Sequence, residues 1–535
     1  MQAMSSSPDT VHDVAEAAHA TPGANVPDVA ALLGENAALR AKVDDLAAQL
    51  ETFKKLLFGS RSEKRTVDIP GQGELFERTV SSDDKTAKKP VKGHERGTAK
   101  KGFPAGCVNG EGLRFDENVP VRTIVLEPEG IEGLSPDAYE IIGTEQRFKL
   151  AQNPSSYEVI RYELPVVKVR ESGAILPMAS VPAVFDKSFA DVSLLAGVLC
   201  DKFVSHLPLY RQHQRLEAAG ISVARSTLTN LVRRSIDLVL PIVEAQWRHI
   251  LASKVVAMDE TPIKAGKSKT RKGRMNQGYL WPIYGEDEEI VFTYASSRAR
   301  HVIERILAEQ FEGTILTDGY SAYASYCRAS ETITHAQCWA HARRKFVEAR
   351  ESEPESADRM LDLIGVLYRI EADIREEDLT PEQVLERRRN LAVAVVEEIV
   401  AFAGRLRADP SLLPTNPFSR ALGYLENRIE ALRVYLADPA VPIDTNHVER
   451  GIRPIAMGRR SWLFCWTELG AEHVGAIQSL ITTCRLHGVE PYTYLVDVLQ
   501  RVGEHPASDV IALTPRVWKG RFGDDPLPSA LARPG

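Results

Sequence analysis

Apolar residues recur in a seven-residue pattern near the start of the chain. One core position of the heptad holds Leu32, Leu39, Leu46 and Phe53, and the other holds Asn36, Val43, Leu50 and Leu57. About four heptads predict a coiled-coil helix over 29–60. The single Asn at a core position would fix register and strand number. We therefore expect self-association rather than packing of this helix on its own chain, which is the alternative.

The segments around this helix lack such periodicity. Residues 1–28 are rich in Ser, Ala, Asp and Pro, which predicts a disordered tail. Residues 61–101 are rich in Lys with Pro and Gly, which predicts a basic linker that could also follow DNA phosphates. Apolar and polar residues then alternate in RTIVLEP, SYEVIRYELPVVKVR and AILPMASVP, and this predicts a small β-rich domain over 102–186.

Residues 187–250 have a helical pattern. SLLAGVLCDKFVSHLPLYRQHQRLEAAG predicts one helix that ends at Gly220, and ISVARSTLTNLVRRS predicts a second with Ser222 as its N-cap. A helix, a Gly turn and a second helix form the outline of a helix-turn-helix. Helical hairpins that bind nothing share this outline, so both interpretations stay open. The candidate DNA contacts on the second helix are Arg225, Thr227, Arg233 and Arg234.

The next pattern predicts an RNase H-like catalytic core, first over 251–350. Three strand candidates (KVVAMDET, GYLWPIYG and EIVFTYASS) precede an amphipathic helix, and a strand ending in Asp follows in GTILTDGYSAY. Residues 351–440 have an acidic, helical pattern, 441–500 carry a basic helical region, and 501–535 are expected as a C-terminal tail. The expected fold class is multidomain α/β.

Two carboxylates follow apolar runs at the ends of predicted strands. Asp259 ends VVAMD and Asp318 ends TILTD, although Asp is disfavoured in strands. Adjacent central strands would bring both to one edge of the sheet. Taken singly, Asp259 could be a strand-end cap and Asp318 a turn former.

A third carboxylate, Glu449, lies just inside a helix that Asp444 or Thr445 can cap. Its alternative role is a surface ion pair with Arg453 one turn away. Three converging carboxylates would hold Mg²⁺ or Mn²⁺, expected as two ions, for in-line displacement at phosphorus. Further candidate DNA contacts are His341, Arg343, Arg344, Lys345, Arg450, Arg453, Arg459 and Arg460.

Two other pairs of residues are candidates for a role in catalysis or DNA binding. Cys338 and His341 have CxxH spacing, but two ligands do not make a zinc site, so structural support is favoured over direct catalysis. Trp462 and Trp466 could stack on an unpaired base. Tryptophans of this kind are more often part of the core, and that interpretation is preferred.

Composition excludes several classes of protein. The 535 residues carry a net charge of −7, which does not exclude a local basic face for DNA. The six cysteines are scattered, which argues against a disulfide framework or a zinc ribbon. The N-terminus has no secretory pattern and no apolar run is long enough for a membrane span, so we expect a cytoplasmic, nucleoid-associated protein without a membrane partner.

Several long motifs together resemble transposases of the insertion-sequence-sixty-six family, which are of the DDE type. They occur in family order over about residues 30–500 and comprise LFGSRSEK (57–64), GISVARSTLTNLV (220–232), AMDETPIKA (257–265), TDGYSAY (317–323), CWAHARRKF (338–346), NHVERGIRPIAMGRRSWLF (446–464) and SLITTCRLHGVEPYTYL (479–495). The resemblance implies an acidic triad on Asp259, Asp318 and Glu449. It also implies that 351–440 is a helical insertion and that 441–500 is the last part of the catalytic domain. It further implies an enzyme that binds the terminal inverted repeats of a transposon and cuts and joins double-stranded DNA.

The resemblance carries further expectations. A homo-oligomer through the coiled coil would hold both transposon ends, and accessory proteins of the same element could assist. The family's zinc-finger-like domain would fall in 102–186, but only Cys107 is present there, so we expect no zinc. Two rival functions stay open: a catalytically silent DNA-binding or regulatory protein, and a metal-dependent nuclease, which would cut without joining.

Overall fold

The computed structural model describes most of the chain beyond its N-terminal fifth. The described residues are 113–153, 156–268, 273–307, 311–463 and 465–532. The expected tail over 1–28, the coiled coil over 29–60, the linker over 61–101 and Cys107 lie outside them. In the described part, no helix is both long enough and apolar enough to cross a bilayer.

A three-stranded sheet comes first, as the alternating pattern predicted. The sheet consists of β2 (Val121–Val125), β3 (Tyr139–Asn153) and β4 (Ser156–Val169). The same region also contains β1 (Arg114–Phe115) and a 3-10 turn (Pro136–Ala138). The long β3–β4 hairpin is antiparallel, and β2 adds to β4 in parallel. The third predicted strand, AILPMASVP, makes only an isolated bridge from Ile175 to Lys168. Its prolines lack the N–H that a strand ladder needs.

The next region contains three helices rather than the two predicted. They are α1 (Val192–Phe203), α2 (Leu209–Ala218) and α3 (Arg225–Leu251), with a short strand β5 (Ile221–Ser222) before α3. The prediction of one helix up to Gly220 is wrong. The chain leaves the helical conformation at His206, whose φ is +57°, and Pro208 has no N–H to continue the hydrogen-bond series.

The turn between α2 and α3 is fixed by the small β region. Gly220 has φ +78°, and a Cβ there would lie 2.2 Å from a carboxylate oxygen of Asp116. The expected N-cap role of Ser222 is wrong, because Ser222 pairs with Arg114 in a β-bridge and α3 begins only after Ala224. Pairing buries Ile221 completely and holds this segment extended.

A six-stranded sheet forms the centre of the chain. Its strands are β6 (Val255–Met258), β7 (Thr261–Lys267), β8 (Met275–Tyr284), β9 (Ile290–Ala295), β10 (Gly313–Thr317) and β11 (Ile333–Gln337), with α4 (Arg300–Leu307) and α5 (Ser321–Cys327) between them. The order is β11-β10-β6-β8-β7, and β9 also pairs with β8. Strands β6, β10 and β11 are parallel, whereas β8 is antiparallel to its three partners. Sequence reasoning did not separate β7 from β6.

Helix α13 (Glu468–Leu486) covers β9 with small and polar side chains. Ser479 accepts a hydrogen bond from the backbone N–H of Phe292 at 2.9 Å, and Thr483 accepts one from Ile290 at 3.3 Å. Gly475 lies so close that a Cβ would be 2.4 Å from the Phe292 carbonyl oxygen. The backbone donors of Ile290 and Phe292 are therefore satisfied within the chain.

The remaining elements are helical. They are α6 (Trp339–Ala349), α7 (Pro354–Glu376), α8 (Pro381–Arg387), a π-helical turn (Arg388–Ala392), α9 (Val393–Arg407), α10 (Pro417–Glu426), α11 (Ile429–Ala437), α12 (Asn446–Trp462), α14 (Pro491–Arg501), a 3-10 segment (Ala507–Leu513) and α15 (Pro515–Arg521). The stretch expected as a C-terminal tail thus contains helices. Trp518 is buried there and donates to Asp497 at 2.9 Å.

A buried ion pair joins the helices between α6 and α12. Arg388 and Glu371, whose side chains are 4% and 7% exposed, form two parallel hydrogen bonds of 2.8 Å. The third nitrogen of Arg388 donates to the carbonyls of Tyr435 and Asp438. The π-helical turn, α7 and the end of α11 are therefore held by one side chain.

We expect Arg388→Met to lower the free energy of unfolding by about 3 kcal/mol, because it leaves the buried Glu371 carboxylate without a partner. The neighbouring Arg389 is exposed, so Arg389→Met is the matched control. Urea denaturation of the full chain, followed by circular dichroism, measures both. If both variants lose the same free energy of unfolding, the stabilising role of the buried Arg388–Glu371 ion pair is contradicted.

Candidate metal centre

Two parallel strands bring the first two predicted carboxylates together. Val255 pairs with Thr314 and Ala257 with Leu316, so Asp259 and Asp318 lie at matching positions just beyond the carboxyl ends of β6 and β10. Four buried residues of β6 fix this register in the sheet. One carboxylate oxygen from each of Asp259, Glu260 and Asp318 lies within 4.8 Å of the others.

Glu260 is the member of this cluster that sequence reasoning missed. Its side chain is only 1% exposed and both of its oxygens are engaged. Oε1 accepts hydrogen bonds from the guanidinium of Arg298, and Oε2 accepts one from the hydroxyl of Tyr323 at 2.9 Å. The signal in the sequence is its place directly after Asp259. Its partners, however, lie 38 and 63 residues further along the chain.

The DGYSAY segment shapes the turn that carries Asp318. The Asp318 carboxylate accepts a hydrogen bond from the backbone N–H of Tyr320 at 2.8 Å, so Asp318 does form a turn. The Tyr320 ring lies 4.0 Å from the Arg298 guanidinium, and its hydroxyl donates to the Arg298 carbonyl. Arg298 thus joins the turn of Asp318 to Glu260.

The helices between α6 and α12 support the same turn from the other side. Arg428, between α10 and α11, donates to the Gly319 carbonyl at 3.1 Å. Its guanidinium also stacks on Tyr424 at 3.9 Å. A Cβ on Gly319 would lie 2.3 Å from the Tyr424 hydroxyl, so a larger residue here would have to displace Tyr424. The Asp318 turn is therefore enclosed by side chains distant in sequence.

Cys338 links the end of the sheet to the start of α12. Its sulfur accepts a hydrogen bond from the backbone N–H of Thr445 at 3.3 Å, and the N–H of Trp339 donates to Ile443 at 3.1 Å. Asp444 accepts from the N–H of Asn446 at 3.0 Å, whereas the Thr445 side chain makes no cap. These contacts set the position of Glu449 in the first turn of α12.

Glu449 faces His341 and Arg344 of α6. Its Oε1 lies 3.6 Å from Nε2 of His341 and 3.5 Å from Nη2 of Arg344. Glu449 does not belong to the three-carboxylate cluster, but it is near enough to act on the charge of Asp259. Within the described residues, Glu449 makes no ion pair with Arg453, which was its alternative role.

The carboxylates crowd one another. Burial raises the pKa of Asp259 to about 7, the backbone N–H of Glu260 opposes this, and the charges of Glu260, Asp318 and Glu449 raise it further. Burial and then the charge of Asp318 raise the pKa of Glu260, which Arg298 counteracts. Oxygen donors with excess negative charge are a set that suits a hard divalent cation.

Comparison with known proteins identifies the family. The model of the transposase IS66 family matches residues 187–473, and the model of the IS66 C-terminal element matches residues 479–516. The chain belongs to the IS66 transposase family. Membership implies transposase function, and the expected resemblance to this family is confirmed.

Three proteins of Sinorhizobium fredii are similar to most of this chain. The uncharacterized protein y4jD is 27% identical over 90% of this chain and 96% of its own length. The uncharacterized protein y4qI is 25% identical over 93% of this chain and 94% of its own length. The uncharacterized protein y4hP is 28% identical over 71% of each chain.

The predicted basic residues of this IS66 transposase are dispersed over three helices. On α3, Arg225 and Arg233 are exposed and Thr227 is half-buried, whereas Arg234 packs on the ring of Phe185 at 4.2 Å. On α6, Arg343 and Arg344 are exposed. On α12, the exposed arginines are Arg450, Arg453 and Arg460, and Arg459 donates to Thr261 and Pro262.

We expect Asp259→Asn to stabilise the metal-free chain. Because the pKa of Asp259 is raised on folding, its ionisation destabilises the folded state. This effect is absent below about pH 4, where the carboxyl is neutral in both states, and complete above the folded pKa of about 7.

At pH 8 with EDTA, the variant should unfold roughly 2 °C or more above the wild type, and the difference should vanish near pH 4. Scanning calorimetry measures this, with the exposed Asp362→Asn as control. A variant less stable than the wild type at pH 8 would contradict the electrostatic account.

Proposed function

We propose that the chain is an active transposase that cleaves DNA at transposon ends and joins the freed end to target DNA. The main support for this proposal is that Asp259 and Asp318 lie at matching positions just after two paired parallel strands. The sheet supports an RNase H-like core: β8 is antiparallel to β6, β7 and β9, and β10 and β11 extend the sheet in parallel beyond β6.

The proposed metal ligands are Asp259, Asp318 and Glu449. Asp259 and Asp318 each accept one backbone hydrogen bond and keep further lone pairs for a cation. Glu260 differs, because Arg298 and Tyr323 occupy both of its oxygens. We assign Glu260 as a positioning residue. When bound, Mg²⁺ or Mn²⁺, expected as two ions, would activate the oxygen nucleophile and neutralise charge at phosphorus.

His341 and Arg344 hold Glu449 before DNA arrives. Burial and then the neighbouring Arg344 lower the pKa of His341, whereas the charges of Asp318 and Glu449 oppose this, and Arg344 places a positive charge beside Glu449. Arg343 and Arg344 also line a cavity of about 550 Å³ with Tyr368 and Asn446. We assign this basic cavity, next to the third carboxylate, to DNA phosphates.

The remaining binding roles rest on the α2–α3 pair and on the N-terminal residues. Helix α3 exposes Arg225 and Arg233 beside the Gly220 turn, which supports a helix-turn-helix that binds the terminal inverted repeats. Arg234 is a weaker candidate, since it stacks on Phe185. A homo-oligomer formed through the coiled coil of 29–60 would hold two ends, and accessory proteins of the element could join it.

Cleavage and strand transfer test the proposal on a labelled transposon-end duplex with Mg²⁺ or Mn²⁺. We expect the wild type to cut and join, and Asp259→Ala, Asp318→Ala and Glu449→Ala to lose roughly 10³-fold or more of the rate while still binding DNA. Asp362→Ala, exposed on α7, is the control. Its activity should match the wild type.

Each other outcome assigns a different function. Cutting without joining would identify a metal-dependent nuclease. Binding without cutting, even with cell extract from a host that carries the element, would identify a silent DNA-binding protein. Full activity of Glu449→Ala would place the third carboxylate elsewhere.

The different roles of the clustered carboxylates make a separate prediction. In titration calorimetry with Mn²⁺, we expect Asp259→Asn and Asp318→Asn each to weaken binding by about 10-fold or more, because a ligand is lost. Glu260→Gln should keep the affinity within a few-fold, since Gln still accepts a hydrogen bond from Arg298 or Tyr323. Equal losses in all three variants would make Glu260 a ligand.

A further inference from the structure

Trp466 is the most exposed of the large apolar side chains in the described residues, at 66% of its surface. It follows α12 after Leu463, which is 65% exposed and has φ +62°. Leu469, in the first turn of α13, is 47% exposed. The preferred interpretation of Trp466 as a core residue is therefore wrong, whereas Trp462 is half-buried against the core.

The backbone beside Trp466 is fixed. Cys465 is buried, its N–H donates to the Lys264 carbonyl at 2.8 Å, and its carbonyl accepts from Gly266 at 3.1 Å. These bonds attach the residue before Trp466 to β7. The Lys267 ammonium lies 5.3 Å from the centre of the indole ring. An exposed aromatic ring on a fixed backbone is suited to stacking, because little conformational entropy is lost on binding.

Exposed residues on the two elements that adjoin Trp466 are mainly basic. Lys264 and Lys267 are exposed on β7, and Arg460 is exposed on the last turns of α12, while Glu468 is the acidic neighbour at Gly266. Basic residues around an aromatic ring complement a nucleotide, whose base stacks while its phosphates take the cations.

The same basic face leads back to the metal centre. At about 100° per residue, Arg453 and Arg460 lie within roughly 40° of Glu449 around the axis of α12. Strand β7 connects the metal centre with the residues beside Trp466, since it starts at Thr261, directly after Glu260, and ends at Lys267. Arg459 ties the two elements together through Thr261 and Pro262.

The length of β7 estimates how far Lys267 and the neighbouring Trp466 ring lie from the carboxylates. The strand from Thr261, directly after Glu260, to Lys267 spans about 20 Å. At about 3.4 Å per nucleotide along one strand, this corresponds to about six nucleotides of DNA.

We propose that Trp466, with Lys267, is a stacking site for an unpaired DNA base about six nucleotides from the scissile phosphate. The proposal rests on the proposed function, because it takes DNA at the metal centre as given. Stacking on Trp466 would stabilise a locally opened duplex while Arg453 and Arg460 hold the intervening phosphates. This stacking contact would accept any base, but it would require the base to be unpaired.

The test uses a series of transposon-end duplexes. Each has unpaired bases at a different distance from the cleavage point. Affinity is measured by fluorescence anisotropy with the full chain in Ca²⁺. We expect the wild type to prefer the duplex opened near six nucleotides to the fully paired one by about 10-fold, as one stacked base contributes about 1–3 kcal/mol. Trp466→Ala should reduce that ratio to about one, and Trp466→Phe should retain most of it.

A 2-aminopurine placed at the unpaired position reports stacking directly. Its fluorescence should be quenched by the wild type and by Trp466→Phe, but not by Trp466→Ala. The control is Leu413→Ala, which removes another exposed apolar side chain far along the sequence from β7 and α12. It should keep the preference and the quenching.

The outcomes separate this proposal from the proposed function. If the wild-type protein binds the paired duplex and shows no preference for the opened duplexes, the stacking site is refuted and the proposed function is not. Wild type that binds neither duplex overturns both. If Trp466→Ala keeps the preference but changes the oligomeric state in analytical ultracentrifugation, the surface is a protein contact and the stacking site is refuted.

Discussion

The candidate metal centre depends on the parallel hydrogen-bonded register of β6 and β10. Because Ala257 pairs with Leu316, residues two positions later on each strand lie side by side beyond the sheet. A slip by one residue would turn every side chain of one strand to the other face. The fully buried apolar residues of β6 therefore determine where Asp259 lies as much as Asp259 itself does.

Packing at the same edge resolves an electrostatic conflict. Three carboxylates lie within 4.8 Å of one another, and their repulsion has to be balanced. Arg298 and Tyr323 neutralise and bind Glu260, which leaves Asp259 and Asp318 as the carboxylates with free capacity. Arg428 encloses the Asp318 turn, and Cys338 positions the start of the helix that bears Glu449. Residues from six parts of the chain thus converge on one small volume.

The sequence was most informative where structure is local. Apolar runs located β6 and β10, and with them Asp259 and Asp318, because a buried parallel strand needs continuous apolar residues. The family resemblance supplied Glu449. Glu260 was missed because its partners are distant in the chain. Ser222 and Trp466 were misjudged because strand pairing with Arg114 and attachment of Cys465 to β7 are tertiary effects that override local preference.

The cover of β9 by α13 has a consequence for assembly. An unpaired strand invites a strand from a second molecule, which is a common route to uncontrolled polymerisation. Here the hydroxyls of Ser479 and Thr483 occupy backbone donors of β9, and Gly475 brings the helix too close for another strand to enter. Copies of this IS66 transposase at high local concentration are therefore hindered at β9 from fusing their sheets.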